Sequence, residues 1–297
     1  MNVLSESGLG ALCATGSALT WAVIGLLVRS LSTSFNSVTL NAVRSALGAV
    51  LILGWVLVTT GPSGLSAISG KNLALLAISV VVAVGIGDTA FFESSRALGL
   101  AHAMTLSMSY PLLAALLAGV FLDEQLTARL AIGSVLTLSG LALTVTAPTR
   151  ARGAAPDRFW LGMGTASLAS LAWAVSVILL KPSLGDVDAV HAQAVRLPVA
   201  ALMLWVTPWA WGVAEPVRRH GASAVWRLLA LGALTAISSV MFAAGVRHVG
   251  VAVATVLSST APVFAVPLGL VFLGERLAPT AVIGTVVAVI GIGVLRA

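Results

Sequence analysis

Charge is scarce in this chain. Charged side chains make up 9% of 297 residues, where soluble domains carry about 25%. So little charge cannot clothe a water-facing surface, which argues against a soluble enzyme. Disorder is excluded on other grounds, because it needs low hydrophobicity and high charge. Cysteine is nearly absent. Cys13 stands alone, so no intramolecular disulfide forms, and within its apolar run it reads as a small packing residue. Four histidines without clustered thiols or carboxylates give no metal-site signature. A nucleotide-binding loop of the GxxxxGK[ST] type is missing as well, so neither metal nor cofactor is expected. Finally, there is no basic stripe interleaved with aromatics. The 16 lysines and arginines are scattered, and the net charge of +6 therefore does not point to nucleic acid.

What the chain has is hydrophobic length, with 59% apolar residues. A helix needs about 20 mostly apolar residues to cross the hydrocarbon core. Ten stretches qualify: 8–28, 37–59, 72–92, 97–122, 128–145, 159–180, 189–211, 226–245, 250–273 and 280–295. The first lacks a basic n-region and is longer than a signal h-region of about 7–15 residues, so it reads as a span rather than a cleaved signal. Connectors carry turn chemistry at 61–64, at 182–185 and at Glu215-Pro216. None is long enough for a soluble domain. The runs are continuous, without the alternation of a barrel strand. The expected class is an all-α integral membrane protein in a lipid bilayer, with ten transmembrane helices.

The second feature is repetition. Offset by 151 residues, 99–126 falls on 250–277, and 13 of the 28 positions are identical, against roughly one in ten by chance in so biased a composition. The match includes Pro111/Pro262, Phe121/Phe272, Leu122/Leu273 and Glu124/Glu275. Gly133/Gly284 and Gly140/Gly291 extend it downstream, and Arg96/Arg247 upstream. At an offset of 152, Leu19/Leu171, Trp21/Trp173, Ala22/Ala174 and Val23/Val175 align, as do 42–44 and 194–196. The chain thus reads as two five-span copies, 1–148 and 159–297, joined by a polar connector at 149–158. Five is odd, so the second copy enters the bilayer from the opposite side. Inverted repeats of this kind are how secondary transporters hold a midplane site that is exposed to each side in turn.

The pattern A-x-A…P…F-L-x-E-x-L…G…G occurs twice, at 101–140 and 252–291, with a Trp in each first span and an Arg in each second. These residues resemble the EamA domain of the drug/metabolite transporter superfamily, and the resemblance covers essentially the whole chain. It implies a ten-helix secondary carrier without a cofactor, often an exporter of amino acids and other small metabolites. It also implies location in the cell inner membrane with cytoplasmic termini. Asp123 departs from the pattern, which has Gly there, as the second copy does at Gly274; the departure bears on a cap. The resemblance does not fix the solute.

Several residues are candidates for the site. Arg44 and Arg196 lie about seven residues inside their spans, where an arginine costs at least ~2.5–3.5 kcal/mol unless it faces a cavity, finds a partner or snorkels. Each reads either as a clamp on a solute anion or as a snorkelling, helix-locking residue. Asp88 aligns with Ser239, so the scaffold does not need an acid there; it is a proton-coupling or amine-binding candidate, or an acid paired with an arginine such as Arg96. Glu93, aligned with Ala244, is a second proton-coupling candidate nearer water. Trp21 and Trp173 are cavity walls that stack on a solute, or packing tryptophans. Pro111 and Pro262 interrupt the fourth and ninth spans and free the carbonyls of Ser107 and Ser258. With Ser109 and Tyr110 in one half, and Ser259 and Thr260 in the other, they form the expected pocket lining. Glu124 and Glu275 read as structural, complementing the N-terminus of the span that follows each.

Orientation pulls two ways. With termini inside, five basic residues fall inside and nine outside, opposite to the positive-inside rule. The family resemblance favours cytoplasmic termini. The function expected is alternating-access transport of a small-molecule solute by a monomer or homodimer. Its rivals are an integral-membrane enzyme acting on lipid-linked substrates, which would need converging acid, base or metal groups, and an uncoupled channel or facilitator.

Overall fold

In hydrocarbon every backbone amide must find its partner within the protein, and a helix satisfies that condition segment by segment. The long apolar runs fold accordingly. The computed structural model describes residues 6–31, 35, 37–98, 106–107, 109–145, 156–207, 221–261, 263–264, 268 and 279–296. Helix α1 spans Glu6–Leu31, α2 Ser37–Thr59 and the short α3 Ser63–Ser66. Next come α4 (Gly70–Val80), a π-helical segment (Val81–Asp88) and α5 (Thr89–Leu98) in one continuous rod. Helix α6 is Tyr110–Phe121, α7 Ala128–Val145, α8 Pro156–Asp186, α9 Ala189–Val206, α10 Gly221–Ser258 and α11 Pro279–Arg296. Among the described residues, six helices are long and apolar enough to cross a membrane, and three shorter apolar helices accompany them.

The surface is inside-out relative to a soluble protein. Val58, Val120, Val206, Trp160 and Trp226 are largely exposed, whereas Ser17, Asn41, Ser79, Thr137 and Gln193 are buried. An apolar exterior around polar helix contacts is what a lipid solvent requires, and the protein is a multi-pass membrane protein.

Several boundaries differ from those expected. Residues 182–185 are not a connector but the end of α8, with Pro182 inside the helix. Ser183 and Leu184 are fully buried there, and that packing carries the helix past the hydrogen bond the proline removes. Helix α9 then starts from Asp188, whose side chain accepts from the amides of Val190 and His191. The third element runs on to Leu98, so the expected fourth stretch begins inside it. The eighth and ninth stretches join in α10 across a break at Gly250, where φ is +82°. Asp123 adopts φ +54°, a left-handed conformation that glycine takes most easily and that a short polar side chain tolerates.

The helices pack reciprocally between the halves. Helix α1 lies chiefly on α10, while α8 lies on α4, the π segment and α5. Helix α2 packs on α9 and α10. Helices α7 and α11 pack closely on each other: a Cβ on Gly140 would sit 2.3 Å from the Ala288 amide, and one on Gly291 2.4 Å from that of Thr137. Gly293, further along α11, faces open space. The largest apolar cluster joins α1, α8 and α10 through Ala14, Leu180, Val246, Val251 and Leu257.

Candidate functional site

Asn41 and Arg44 are three residues apart on α2 and therefore share a face. The Arg44 Nε–H donates to Asn41 Oδ1 at 2.7 Å, and the Asn41 amide donates to Asp88 Oδ2 at 3.2 Å. The other carboxylate oxygen, Oδ1, accepts from the indole Nε1–H of Trp173 at 3.0 Å. Behind the arginine stands Trp21, its ring centroid 4.9 Å from the guanidinium carbon. That cation–π contact is worth about 0.5–2 kcal/mol, depending on desolvation. Four residues picked from sequence thus lie in one chain of contacts, Trp21–Arg44–Asn41–Asp88–Trp173. Asp88 finds its partners in Trp173 and Asn41, with Arg44 as the opposing charge. The Arg96 side chain lies outside the described residues.

Each position has a local cause. Asp88 closes the π segment, a wide helical turn common at functional sites. Gly87, beside it, lets the Trp173 ring approach: a Cβ there would lie 2.6 Å from the indole Cδ1. Trp173 is packed by Phe91 at 5.5 Å and edge-on by Tyr110 at 5.9 Å between centroids. The Tyr110 hydroxyl lies 3.4 Å from Ser258 Oγ, joining α6 to the end of α10.

Helix α8 presents a polar stripe at helical spacing. Ser170 pairs with Ser109 at 2.9 Å, Trp173 binds Asp88, and Ser176 Oγ accepts from Arg196 Nη2 at 3.4 Å. Ser107 donates to the Ala166 carbonyl at 3.5 Å. Pro111 sits in the first turn of α6, where a missing N–H costs least. Ser258, Ser259 and Thr260 turn their hydroxyls back to the carbonyls of Thr255 and Leu257 at 2.6–3.1 Å. Pro262 lies outside the described residues. Glu93 is partly buried in α5.

Glu124 acts across the halves. Its carboxylate accepts from the amides of Val251 (2.8 and 3.1 Å) and Ala252 (3.2 Å). It therefore caps the helical run after Gly250, not the helix that follows it in sequence. Thr127 caps that one, accepting from Leu130 N at 3.1 Å. Lys181 completes the junction by donating to the carbonyls of Val246 at 2.8 Å and Arg247 at 3.2 Å. Glu124, Lys181 and Gly250 line an open cavity of about 330 Å³ with Leu122, Leu130 and Val253. Glu275 lies outside the described residues.

Sequence reasoning missed Asn41, Ser170, Ser176 and Gln193. A signal was there: Asn41 and Gln193 each stand three residues before an arginine, in Asn-Ala-Val-Arg and Gln-Ala-Val-Arg, at the same offset of 152 as the rest of the match.

The comparisons with known proteins agree with this architecture. An archaeal protein from Archaeoglobus fulgidus named "Uncharacterized transporter" is 24% identical over 280 residues, covering 93% of each chain. A solved crystal structure shares the fold, with a TM-score of 0.80, 21% identity and coverage of 96% of this chain and 94% of that one. The family model described as "EamA-like transporter family" matches twice, at residues 8–146 and 160–297. Family and relative point to a membrane transporter of a small-molecule solute rather than to an enzyme. With both halves matched, the chain belongs to the EamA-like transporter family.

Proposed function

We propose that the protein is a secondary transporter, an exporter of small metabolites such as amino acids, working by alternating access in the cell inner membrane with cytoplasmic termini. Its ten spans form two inverted five-helix repeats, 1–148 and 159–297, with 149–158 between them. The reciprocal packing of α1 on α10 and of α8 on α4–α5 supports this reading. Spans one to four and six to nine line the cavity, and the α7–α11 pair supports them from outside. Trp21, Arg44, Asp88, Tyr110, Trp173 and Arg196 are the lining groups, with Ser107, Ser109, Pro111, Ser258, Ser259, Thr260 and Pro262 around the helix breaks.

The observation that carries the proposal is the hydrogen bond from Trp173 to Asp88, which joins the two halves through a carboxylate among apolar helices. Both oxygens of Asp88 accept from N–H donors. A proton on either oxygen makes it an O–H donor and a weaker, uncharged acceptor, and so weakens one of those bonds. Protonation therefore loosens α2 or α8 from the end of the π segment, which is how a proton gradient would bias one access state over the other. Glu93, five residues on, is the second carrier of that proton.

The test is solute uptake into proteoliposomes under an imposed pH gradient. Wild type is expected to accumulate solute with the gradient, and Asp88→Asn to lose the gradient dependence. Unchanged dependence in that variant removes Asp88 from coupling. Ohmic current through wild type would replace the carrier by a channel.

A further inference from the structure

The two arginines that the repeat places at equivalent positions have unlike surroundings. Arg44 has three kinds of partner: Asn41 takes its Nε–H, Trp21 its face, and Asp88 its charge. Arg196 is more deeply buried, at 9% exposure, yet among the described residues its Nε has no hydrogen-bond partner. Among the described residues its Nη2 holds only the neutral Ser176 hydroxyl, at 3.4 Å. Among the described residues no acidic side chain opposes it. One turn earlier, the amide nitrogen of Gln193, at 2% exposure, also lacks an acceptor among the described residues.

The repeat explains the difference. Asn41, Arg44 and Asp88 align with Gln193, Arg196 and Ser239. In the first half the carboxylate of Asp88 ends the chain of donors. In the second half Ser239 stands in its place and donates to its own helix, to the Ala236 carbonyl at 2.9 Å. Ala194 and Leu197, beside Arg196, pack with Ala236, so the same face of α10 is turned to α9. A buried guanidinium without a counter-charge is among the costliest groups a fold can keep. The Nε–H, unpartnered among the described residues, and the Nη2 group, which holds only the long Ser176 contact, form the side-on fork that a planar oxyanion fills with two parallel hydrogen bonds.

We infer that Arg196, with Gln193 and Ser176, is the oxyanion-binding subsite for the transported solute, and that Arg44 is not. The solute brings the carboxylate, or phosphate, that the second half lacks at Ser239. Ser176 is one turn from Trp173 on α8, so the anion is held beside the Asp88 junction and the rest of the solute reaches Trp173 and Tyr110. This assignment rests on the transporter reading and names its substrate class.

The experiment is a thermal-shift titration of the purified full chain, paired with proteoliposome uptake. The probes are L-leucine, L-glutamate, L-lactate and benzoate, the amides L-leucinamide and benzamide, which lack the carboxylate, and inorganic phosphate. At least one oxyanion is expected to raise the Tm while its amide does not; carboxylate or phosphate response identifies the source. Arg196→Gln should weaken that response about 10- to 100-fold, as loss of a charged hydrogen bond does. Arg196→Lys should recover part of it. Ser239→Asp should raise the Tm without ligand and abolish the response, by supplying the carboxylate internally. Failure of every oxyanion to shift the wild-type Tm, or a response unaltered in Arg196→Gln and Ser239→Asp, overturns the assignment. Uptake with an unchanged KM in Arg196→Gln leaves transport standing and removes the subsite. Oxyanion binding without uptake of any bound probe leaves the subsite standing and removes transport.

Discussion

The indole N–H of Trp173 and the carboxylate of Asp88 meet at 3.0 Å although the two residues are 85 positions apart. Asp88 receives a second donor from Asn41. In Asp88→Asn the amide can present one oxygen to one donor, leaving the other donor facing an NH₂ group. The expected loss is about 1–3 kcal/mol, read as a lowered Tm in detergent. The double variant Asp88→Asn/Trp173→Phe should cost less than the sum of the two single losses, because both remove one shared contact.

Gly87 makes that approach possible. A methyl there would sit 2.6–2.7 Å from indole atoms Cδ1 and Nε1 of Trp173. Gly87→Ala should therefore displace the ring rather than merely stiffen the helix. Tryptophan fluorescence should shift, and uptake should fall with little change in helical content by circular dichroism.

The junction at Gly250 predicts a separate pair of losses. With φ at +82° and a Cβ only 2.9–3.0 Å from both Glu124 oxygens, Gly250→Ala meets strain and contact together. With ψ at 171° this is a backbone region essentially reserved for glycine, and the cost should exceed the ~1–3 kcal/mol of a sparsely populated conformation alone. Glu124→Gln keeps the shape and removes the charge at a helix start, for an expected loss of about 0.5–2 kcal/mol. Denaturation of the two variants in one detergent would rank them.

Acid should act at Asp188, in the connector between α8 and α9. Burial pushes its carboxyl up, but hydrogen bonds from His191 and from the Val190 amide outweigh that and leave it below the usual carboxylate range. A carboxyl lowered in the folded state stabilises the fold above its unfolded value of about 3.9, and the gain disappears as pH falls through the lower folded value. Asp188→Ala should cost about 1 kcal/mol at neutral pH as a lost cap. The gap between variant and wild-type Tm should close below about pH 4.

Hydropathy made much of the fold legible. Both 37–59 and 128–145 end where α2 and α7 end, because lipid asks only for length and apolarity. It said little where tertiary packing decides. Pro182 looked like a turn but is carried through by the burial of Ser183 and Leu184. Glu124 looked local because carboxylates favour nearby helix starts, yet its reach to Val251 depends on how the halves dock. The site was legible in its charged and aromatic members, since such residues are costly in lipid and stand out. Asn41, Ser176 and Gln193 were not, because small polar groups are ordinary at helix contacts and only their partners distinguish them.

The π segment ties chain length to the aim of one carboxylate. Each residue added to or removed from a helix turns everything beyond it by about 100°. Deleting a single residue between Val81 and Gly87 would let the rod relax to ordinary α-helix. It would also swing Asp88 away from both the indole and the amide it now touches. The wide turn works as a vernier, setting where the acid points, and this stretch should tolerate exchange of its apolar side chains far better than any change in its number of residues.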